Sequence, residues 1–207
     1  MRETPLGDRR GIRPRPRPTR EPHQRFLIVC EGEKTEPEYF DLYHASASVI
    51  QLDSRGAAGD PVRVVHKAQQ EHAKAAHRRE PYDQIWCVFD RDDVPPNRFN
   101  QALNEAAQLG FHVAYSNQAF ELWYLLHFHF VNTAPTRRDY VAKLNALLPD
   151  GYAKNSRTLY PRLLDKQPTA IQFAQRLLAL YPTPNPARDD PSTTVHLLIQ
   201  QLNRFRL

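Results

Sequence analysis

The chain has 207 residues, of which 41% are hydrophobic and 25% charged, a composition typical of a folded globular domain. No segment approaches the roughly 18 to 20 unbroken apolar residues of a membrane-spanning helix, and the N-terminus lacks the apolar stretch of a signal peptide. We therefore expect a cytoplasmic protein with no membrane partner. The formal net charge is +5, but the first 24 residues hold seven of the 28 basic and three of the 23 acidic residues. The rest of the chain, with 21 basic and 20 acidic residues, is nearly neutral.

Residues 1–24 form the first predicted unit, a basic arm that contains the segment "GIRPRPRPTREP". Repeated prolines remove backbone donors and fix φ, so this segment is incompatible with a helix or a central strand. We predict a disordered arm whose arginines can contact phosphates. A solubilising tail explains the same composition equally well.

Strand and helix patterns alternate through the second predicted unit, residues 25–134. Four runs of β-branched and aromatic residues predict strands, at Phe26–Cys30, Val49–Leu52, Gln84–Phe89 and Phe111–Tyr115. A helical pattern follows each of them, at residues 35–45, 61–79, 97–109 and 119–128. This alternation predicts an α/β fold with a four-stranded, mainly parallel sheet flanked by helices.

The third predicted unit, residues 135–207, contains amphipathic helical patterns at residues 137–148, 168–181 and 191–205, separated by proline-rich loops. No strand is predicted after about residue 135. We expect a helical extension that packs on the α/β core.

Acidic residues follow two of the predicted strands. Glu31 comes directly after the first strand, and Asp90 and Asp92 come after the third. Ligands of open α/β sheets bind beyond the carboxyl ends of the strands, so the two groups meet there if the first and third strands are neighbours. Asp90 and Asp92 point the same way if the backbone is extended. Carboxylates so close together repel one another, and a Mg²⁺ ion with waters and phosphate oxygens relieves the repulsion.

Several nearby residues have simpler interpretations. Glu36 and Glu38 lie where acidic residues commonly stabilise the start of a helix, and Asp93 fits a turn. Gly32, directly after Glu31, permits a tight turn or a close approach of substrate.

Three sequence blocks carry a family resemblance: "LIVCEGEKTEPEYF", "VFDRDD" and "SNQAFELWYLLHF". Together they resemble the RloB-like family of bacterial proteins and, more broadly, the Toprim fold, over about residues 25–128. The block "NPARDDPSTTV" near residue 190 resembles a further part of the family pattern. In the third block the family usually has Pro and Cys where this chain has Gln118 and Ala119.

The resemblance implies roles for the acidic residues. Glu31 takes the place of the Toprim acid/base glutamate, and Asp90 and Asp92 take the places of metal ligands for Mg²⁺ (or Mn²⁺). The family is associated with restriction and phage-defence loci, often beside an ATPase partner, and related Toprim proteins cut nucleic acids.

Four further residues are candidates on position alone. Glu121 begins a largely apolar helix, where either a metal ion or the positive helix end can stabilise its charge. Lys34, Arg91 and Lys154 are candidate contacts to nucleic-acid phosphates, although each is equally compatible with a solvated surface charge.

Other metal and nucleophile chemistries fit the sequence poorly. The histidine pairs His72/His77 and His127/His129 are spaced so that neither can clasp one zinc ion from a regular helix. Cys30 and Cys87 lie in apolar strands, where a reactive thiolate is disfavoured and a reduced packing role is expected.

Three functions remain. We predict a Mg²⁺-dependent Toprim-like nuclease of an anti-phage defence system, acting on DNA or RNA, including tRNA. The second is a non-catalytic subunit that binds nucleic acid or an ATPase partner. The third is a haloacid-dehalogenase-type phosphatase, because "VFDRDDV" resembles that motif, with Asp90 as nucleophile and Asp92 as acid. In that family, however, the motif normally ends the first strand.

Overall fold

The computed structural model describes residues 24–32, 35–44, 50–57, 60–154, 156 and 158–205. Residues 1–23 of the predicted arm, and Lys34, lie outside the described residues. None of the helices in these ranges is long and apolar enough to cross a lipid bilayer.

Four parallel strands form most of the sheet: β1 (Gln24–Cys30), β2 (Ile50–Gly56), β3 (Gln84–Asp90) and β4 (His112–Asn117). A two-residue strand, β5 (Ser192–Thr193), pairs antiparallel with β4, and the strand order is β2-β1-β3-β4-β5. The α/β fold with a mainly parallel sheet is therefore confirmed. The first and third strands are neighbours, as the convergence of the acidic groups requires.

The expectation that strands end before residue 135 is wrong because of β5. The side chains of Ser192 and Thr193 are fully buried, and the Thr193 hydroxyl donates a hydrogen bond to the Tyr115 carbonyl (3.0 Å). Buried hydroxyl groups need such partners, and the edge of β4 supplies them.

The described part of the chain contains helices α1 (Thr35–His44), α2 (Pro61–His77), α3 (Pro96–Gln108), α4 (Glu121–Leu126), α5 (Arg137–Leu147), α6 (Leu159–Leu164), α7 (Gln167–Leu178) and α8 (Val195–Asn203). Seven of them fall within the predicted segments or within a residue of them. The exception, α6, has six residues and too few turns to show a helical period in the sequence.

Two apolar cores lie on opposite faces of the sheet. Alternate residues of β1 divide between them, with Phe26 and Ile28 in one and Leu27 and Val29 in the other. The second core is closed by α2 and α3, and the first by α1 and the helices from α4 onward. The C-terminal helices therefore share one core with the sheet.

The two cysteines are free and buried, as expected for packing residues. Burial raises the pKa of the Cys87 thiol to about 12 and holds the pKa of Cys30 well above its usual range. Both thiols stay protonated at neutral pH, which makes a nucleophilic role unfavourable.

Candidate functional site

The ends of β1 and β3 bring Glu31 and Asp90 into direct contact. The backbone N–H of Glu31 donates to the Val88 carbonyl (2.8 Å), which extends the β1–β3 pairing by one residue. The backbone N–H of Asp90 then donates to Oε2 of Glu31 (3.0 Å). The two acidic groups predicted from separate strands thus meet at one sheet edge.

Asp92 joins them through a turn. Its φ of 32° lies in the left-handed region, and its N–H donates to the Gln118 carbonyl (3.0 Å). The backbone from Asp90 to Asp92 is therefore not extended, and the condition under which the two side chains would point the same way is not met. The two carboxylates still converge, because both are bound by one guanidinium group. Arg137 contacts Asp90 through Nη2 (2.8 Å) and Asp92 through Nη1 (2.9 Å).

Glu36 also belongs to this site. Its side chain is buried, and Oε2 has no hydrogen-bond partner within the described part of the protein. A Cβ placed on Gly32 would lie 1.9 Å from that oxygen, so the glycine makes room for the carboxylate. Glu36 lies in the first turn of α1, as its interpretation as a helix-stabilising acid requires, and its buried carboxylate also lines the cavity described next.

These groups surround a cavity of about 390 Å³ at the carboxyl edge of the sheet. Its lining consists of Glu31, Gly32, Thr35, Glu36, Asp90, Arg137 and Lys154. Three carboxylates and two cationic side chains therefore face one space, which suits a ligand that carries both a cation and phosphate oxygens.

Burial makes the negative charges of this site costly. It raises the pKa of Glu31 to about 7, with a further contribution from Glu36 and opposition from the Asp90 N–H. Burial also raises the pKa of Asp90, and the neighbouring carboxylate of Glu36 raises it further. Burial likewise raises the pKa of Glu36, to which the carboxylate of Glu121 adds. A cation in the cavity would relieve this cost.

Arg137 supplies part of that positive charge. Burial by itself lowers the pKa of its guanidinium, but Asp90 and Asp92 more than offset this and the pKa is raised. The side chain thus stays charged.

Glu121 lies next to the cavity and not in its lining. It begins α4, only 4% of it is exposed, and its Oε1 accepts a hydrogen bond from the Tyr152 hydroxyl (3.0 Å). Its charge contributes to the raised pKa values of Glu36, Asp90 and Tyr152. The structure therefore places Glu121 within electrostatic reach of the acidic edge.

The candidate phosphate contacts occupy different settings. Lys154 is exposed and lines the cavity, and its charge lowers the pKa of Glu36. Arg91 donates to three backbone carbonyls, those of Ala187 (3.0 Å), Asp92 (2.8 Å) and Val94. It holds the loop after β3 in shape. Lys34 lies outside the described residues.

The donor chemistry of the site fits a hard divalent cation, since carboxylate oxygens are the ligands that Mg²⁺ and Mn²⁺ prefer. The buried, unpartnered Oε2 of Glu36 is an acceptor that such an ion would satisfy. Among the described residues, no three His, Cys, Asp or Glu side chains are already arranged to hold a metal. Arg137 lies between Asp90 and Asp92. A cation therefore requires a rearrangement of side chains at this edge.

Sequence reasoning missed three residues of the site: Glu36, Arg137 and Tyr152. Glu36 had one available signal, its position four residues after Gly32 in a block that already carried Glu31. The sequence contains no comparable signal for Arg137 or Tyr152, because charged residues at helix starts and tyrosines in loops occur in most proteins.

Comparison with known proteins gives one family. The sequence model described as RloB-like protein matches residues 26–202, which is most of the chain. No curated protein and no solved structure matches it significantly.

Proposed function

This chain belongs to the RloB-like family, and from that membership and the acidic sheet edge we propose that it is a Mg²⁺-dependent, Toprim-like nuclease. It hydrolyses phosphodiester bonds of DNA or RNA, tRNA included, in an anti-phage defence system.

The contact between Glu31 and the Asp90 N–H (3.0 Å) carries this proposal. It brings an acid from β1 and an acid from β3 to the mouth of one cavity, where a phosphate group has room. Asp92 is tied to the same place through Arg137 (2.9 Å).

Asp90, Asp92 and Glu31 would hold the cation, and the buried Glu36 is available beside them. When bound, Mg²⁺ or Mn²⁺ polarises the scissile phosphate and stabilises the charge on the leaving oxygen. Either ion also lowers the cost of the buried carboxylates.

Glu31 is suited to proton transfer. In the protein without a bound cation, burial raises the pKa of this carboxyl to about 7, close to the pH at which a general acid or base is most effective. Oε2 accepts the Asp90 N–H, so Oε1 is the oxygen that takes a proton from an attacking water. The same oxygen can return the proton to the leaving group.

Positive side chains would position the nucleic acid. Lys154 lines the cavity and is exposed, so it can contact a phosphate of the bound strand. Lys34 and Arg91 are proposed as further phosphate contacts. An ATPase partner subunit, which the family resemblance implies, would control when the site acts.

Cleavage of labelled DNA and RNA tests the proposal. Purified protein is incubated with Mg²⁺ or Mn²⁺, with and without the product of the neighbouring gene, and compared with Glu31→Gln and Asp90→Asn. Both variants should lose cutting by at least about 100-fold, as for removal of a proton-transfer group or a metal ligand. Asp93→Asn is the matched control, because Asp93 is exposed.

Other outcomes identify the alternatives. Equal cleavage by the wild type and both variants would contradict the nuclease proposal. Salt-sensitive binding without cleavage supports the non-catalytic subunit. Rapid turnover of a small phosphate monoester without nuclease activity supports the phosphatase.

A further inference from the structure

Arg137 occupies the place where a cation would meet the acidic edge. One guanidinium contacts both carboxylates that follow β3, Asp90 at 2.8 Å and Asp92 at 2.9 Å. Both are charge-assisted hydrogen bonds, the stronger kind of polar contact. While they persist, those two oxygens are not available to another cation.

The first turn of α5 presents Arg137 to these acids. Arg137 is the first residue of the helix, directly after Thr136, which forms a capping box with Asp139. The Thr136 hydroxyl donates to Oδ2 of Asp139 (2.7 Å), and the Thr136 N–H donates to the same oxygen (2.9 Å). The capping box therefore fixes the helix start, and the guanidinium lies at the end of a long side chain with several rotatable bonds.

The ion pair itself is incompletely satisfied. The Nε of Arg137 is buried without a hydrogen-bond partner within the described part of the protein. Burying charges is favourable only when the remaining donors are also satisfied. The arginine side chain is still 38% exposed, so it has a path into the cavity and to solvent. A bound cation could therefore replace the guanidinium of Arg137 in its contact with the two carboxylates.

We propose that Arg137 is a displaceable internal cation: it competes with the divalent ion for Asp90 and Asp92, and metal binding drives its guanidinium off these carboxylates. This rests on the proposed function, since it concerns the same metal site. In the metal-free protein the guanidinium of Arg137 offsets part of the negative charge of Asp90 and Asp92. In the loaded protein the released guanidinium lies in the cavity beside Lys154, where a phosphate can bind it.

Calorimetric titration with Mg²⁺, repeated with Mn²⁺, tests the competition without any measurement of cleavage. Arg137→Gln removes the competing charge, so we expect it to bind the ion at least about tenfold more tightly than the wild type. Arg137→Lys keeps a charge but loses the two-pronged contact, and its affinity should lie between the two. The control is Arg138→Gln, which removes an exposed neighbouring charge and should leave the affinity unchanged.

The outcomes separate this inference from the proposed function. If the wild type and Arg137→Gln bind the ion equally, or the variant binds it more weakly, the competition is wrong and the nuclease proposal stands. If neither protein binds Mg²⁺ or Mn²⁺, the metal-dependent function is wrong and the inference falls with it.

A second measurement uses the wild-type protein alone, in case Arg137→Gln fails to fold. Phenylglyoxal modifies accessible arginine side chains, and mass spectrometry separates the products at Arg137 and Arg138. Saturating Mg²⁺ should accelerate modification of Arg137 by several-fold and leave Arg138 unaffected as internal reference. An unchanged or slower reaction at Arg137 while Mg²⁺ binds would overturn the proposal.

Discussion

The carboxylate of Glu31 accepts the backbone N–H of Asp90 at 3.0 Å, so the end of one parallel strand is tied to the end of its neighbour by a side chain that also faces the cavity. The bond fixes Oε2 of Glu31 at the sheet edge. It opposes the rise in the pKa of Glu31 that burial causes, but the pKa still reaches about 7.

The stability of the protein should therefore depend on pH through Glu31. The folded pKa of about 7 exceeds the ordinary value of 4.5, so the folded state binds more protons between these pH values. The stabilisation from the protonated form is complete below about pH 4.5 and is lost as the pH rises through 7. Glu31→Gln, whose amide oxygen can still accept the Asp90 N–H, should relieve this loss.

Urea unfolding in EDTA measures the effect. Between pH 4.5 and pH 8, we expect the free energy of unfolding of the variant to rise by about 2 kcal/mol relative to that of the wild type. This is less than the energy that corresponds to the whole pKa shift, because the carboxyl is partly exposed. Taking the difference between the two proteins cancels the opposite contributions of His127 and His196, whose pKa values burial lowers to about 4. A difference that does not vary with pH would contradict the assignment.

Gly32 and Glu36 should show strong coupling in a double-mutant cycle. In Gly32→Ala the new Cβ meets Oε2 of Glu36 at 1.9 Å and Cδ at 2.8 Å, so the carboxylate must move within a buried site. We expect a cost of about 1–2 kcal/mol in the wild type. In a Glu36→Ala background the space is open and the same change should cost less than about 0.5 kcal/mol. Equal costs in both backgrounds would show that the carboxylate lies elsewhere.

Glu121 should act on the proposed metal site through its charge. Glu121→Gln keeps an acceptor for the Tyr152 hydroxyl, which now lies 3.0 Å from Oε1. The lost charge should weaken Mg²⁺ binding by about three- to tenfold, roughly 1 kcal/mol, as expected for a charge near the ion rather than bound to it. Tyr152→Phe, which keeps the charge, is the control. A loss of 100-fold or more in the titration would instead identify Glu121 as a ligand.

The capping box of α5 should influence cation binding at the proposed metal site, although it does not contact the cation. Thr136→Ala removes the hydroxyl that bonds Asp139 and should cost about 1 kcal/mol of stability. Because the first turn then frays, Arg137 should hold Asp90 and Asp92 less firmly, and Mg²⁺ should bind about two- to fivefold more tightly. Thr136→Ser retains the hydroxyl and should resemble the wild type in thermal melts and in titrations.

The strands of the parallel sheet were predictable because each is a short apolar run beside turn residues. The adjacency of β1 and β3 was a condition of the chemical argument and not a prediction from the sequence, and it is the structure that shows it. For β2, the prediction ended at Leu52 whereas the strand continues to Gly56, because "DSRG" contains no apolar alternation. Its first predicted residue, Val49, lies outside the described residues.

What remained unpredicted depends on tertiary contacts. β5 has only two residues, and its pairing is set by Ser116 and Thr193, whose hydroxyl oxygens lie 3.0 Å apart. Arg137 is separated from Asp90 by 47 positions in the chain, and helix periodicity places it on a surface. Glu36 follows a common helix-start pattern, and its burial arises only when α1 lies against the sheet edge.

The position of β5 has a practical consequence for anyone who shortens this protein. Asn117, at the end of β4, donates to the Asp189 carbonyl (2.9 Å), and Arg91, next to the acidic turn, donates to the Ala187 carbonyl (3.0 Å). A fragment ending at residue 134 would keep Glu31, Asp90 and Asp92 but would lose Arg137 and both of these braces. Such a fragment would not be a minimal version of the proposed site, because the loop after β3 would lack the C-terminal contacts that shape it.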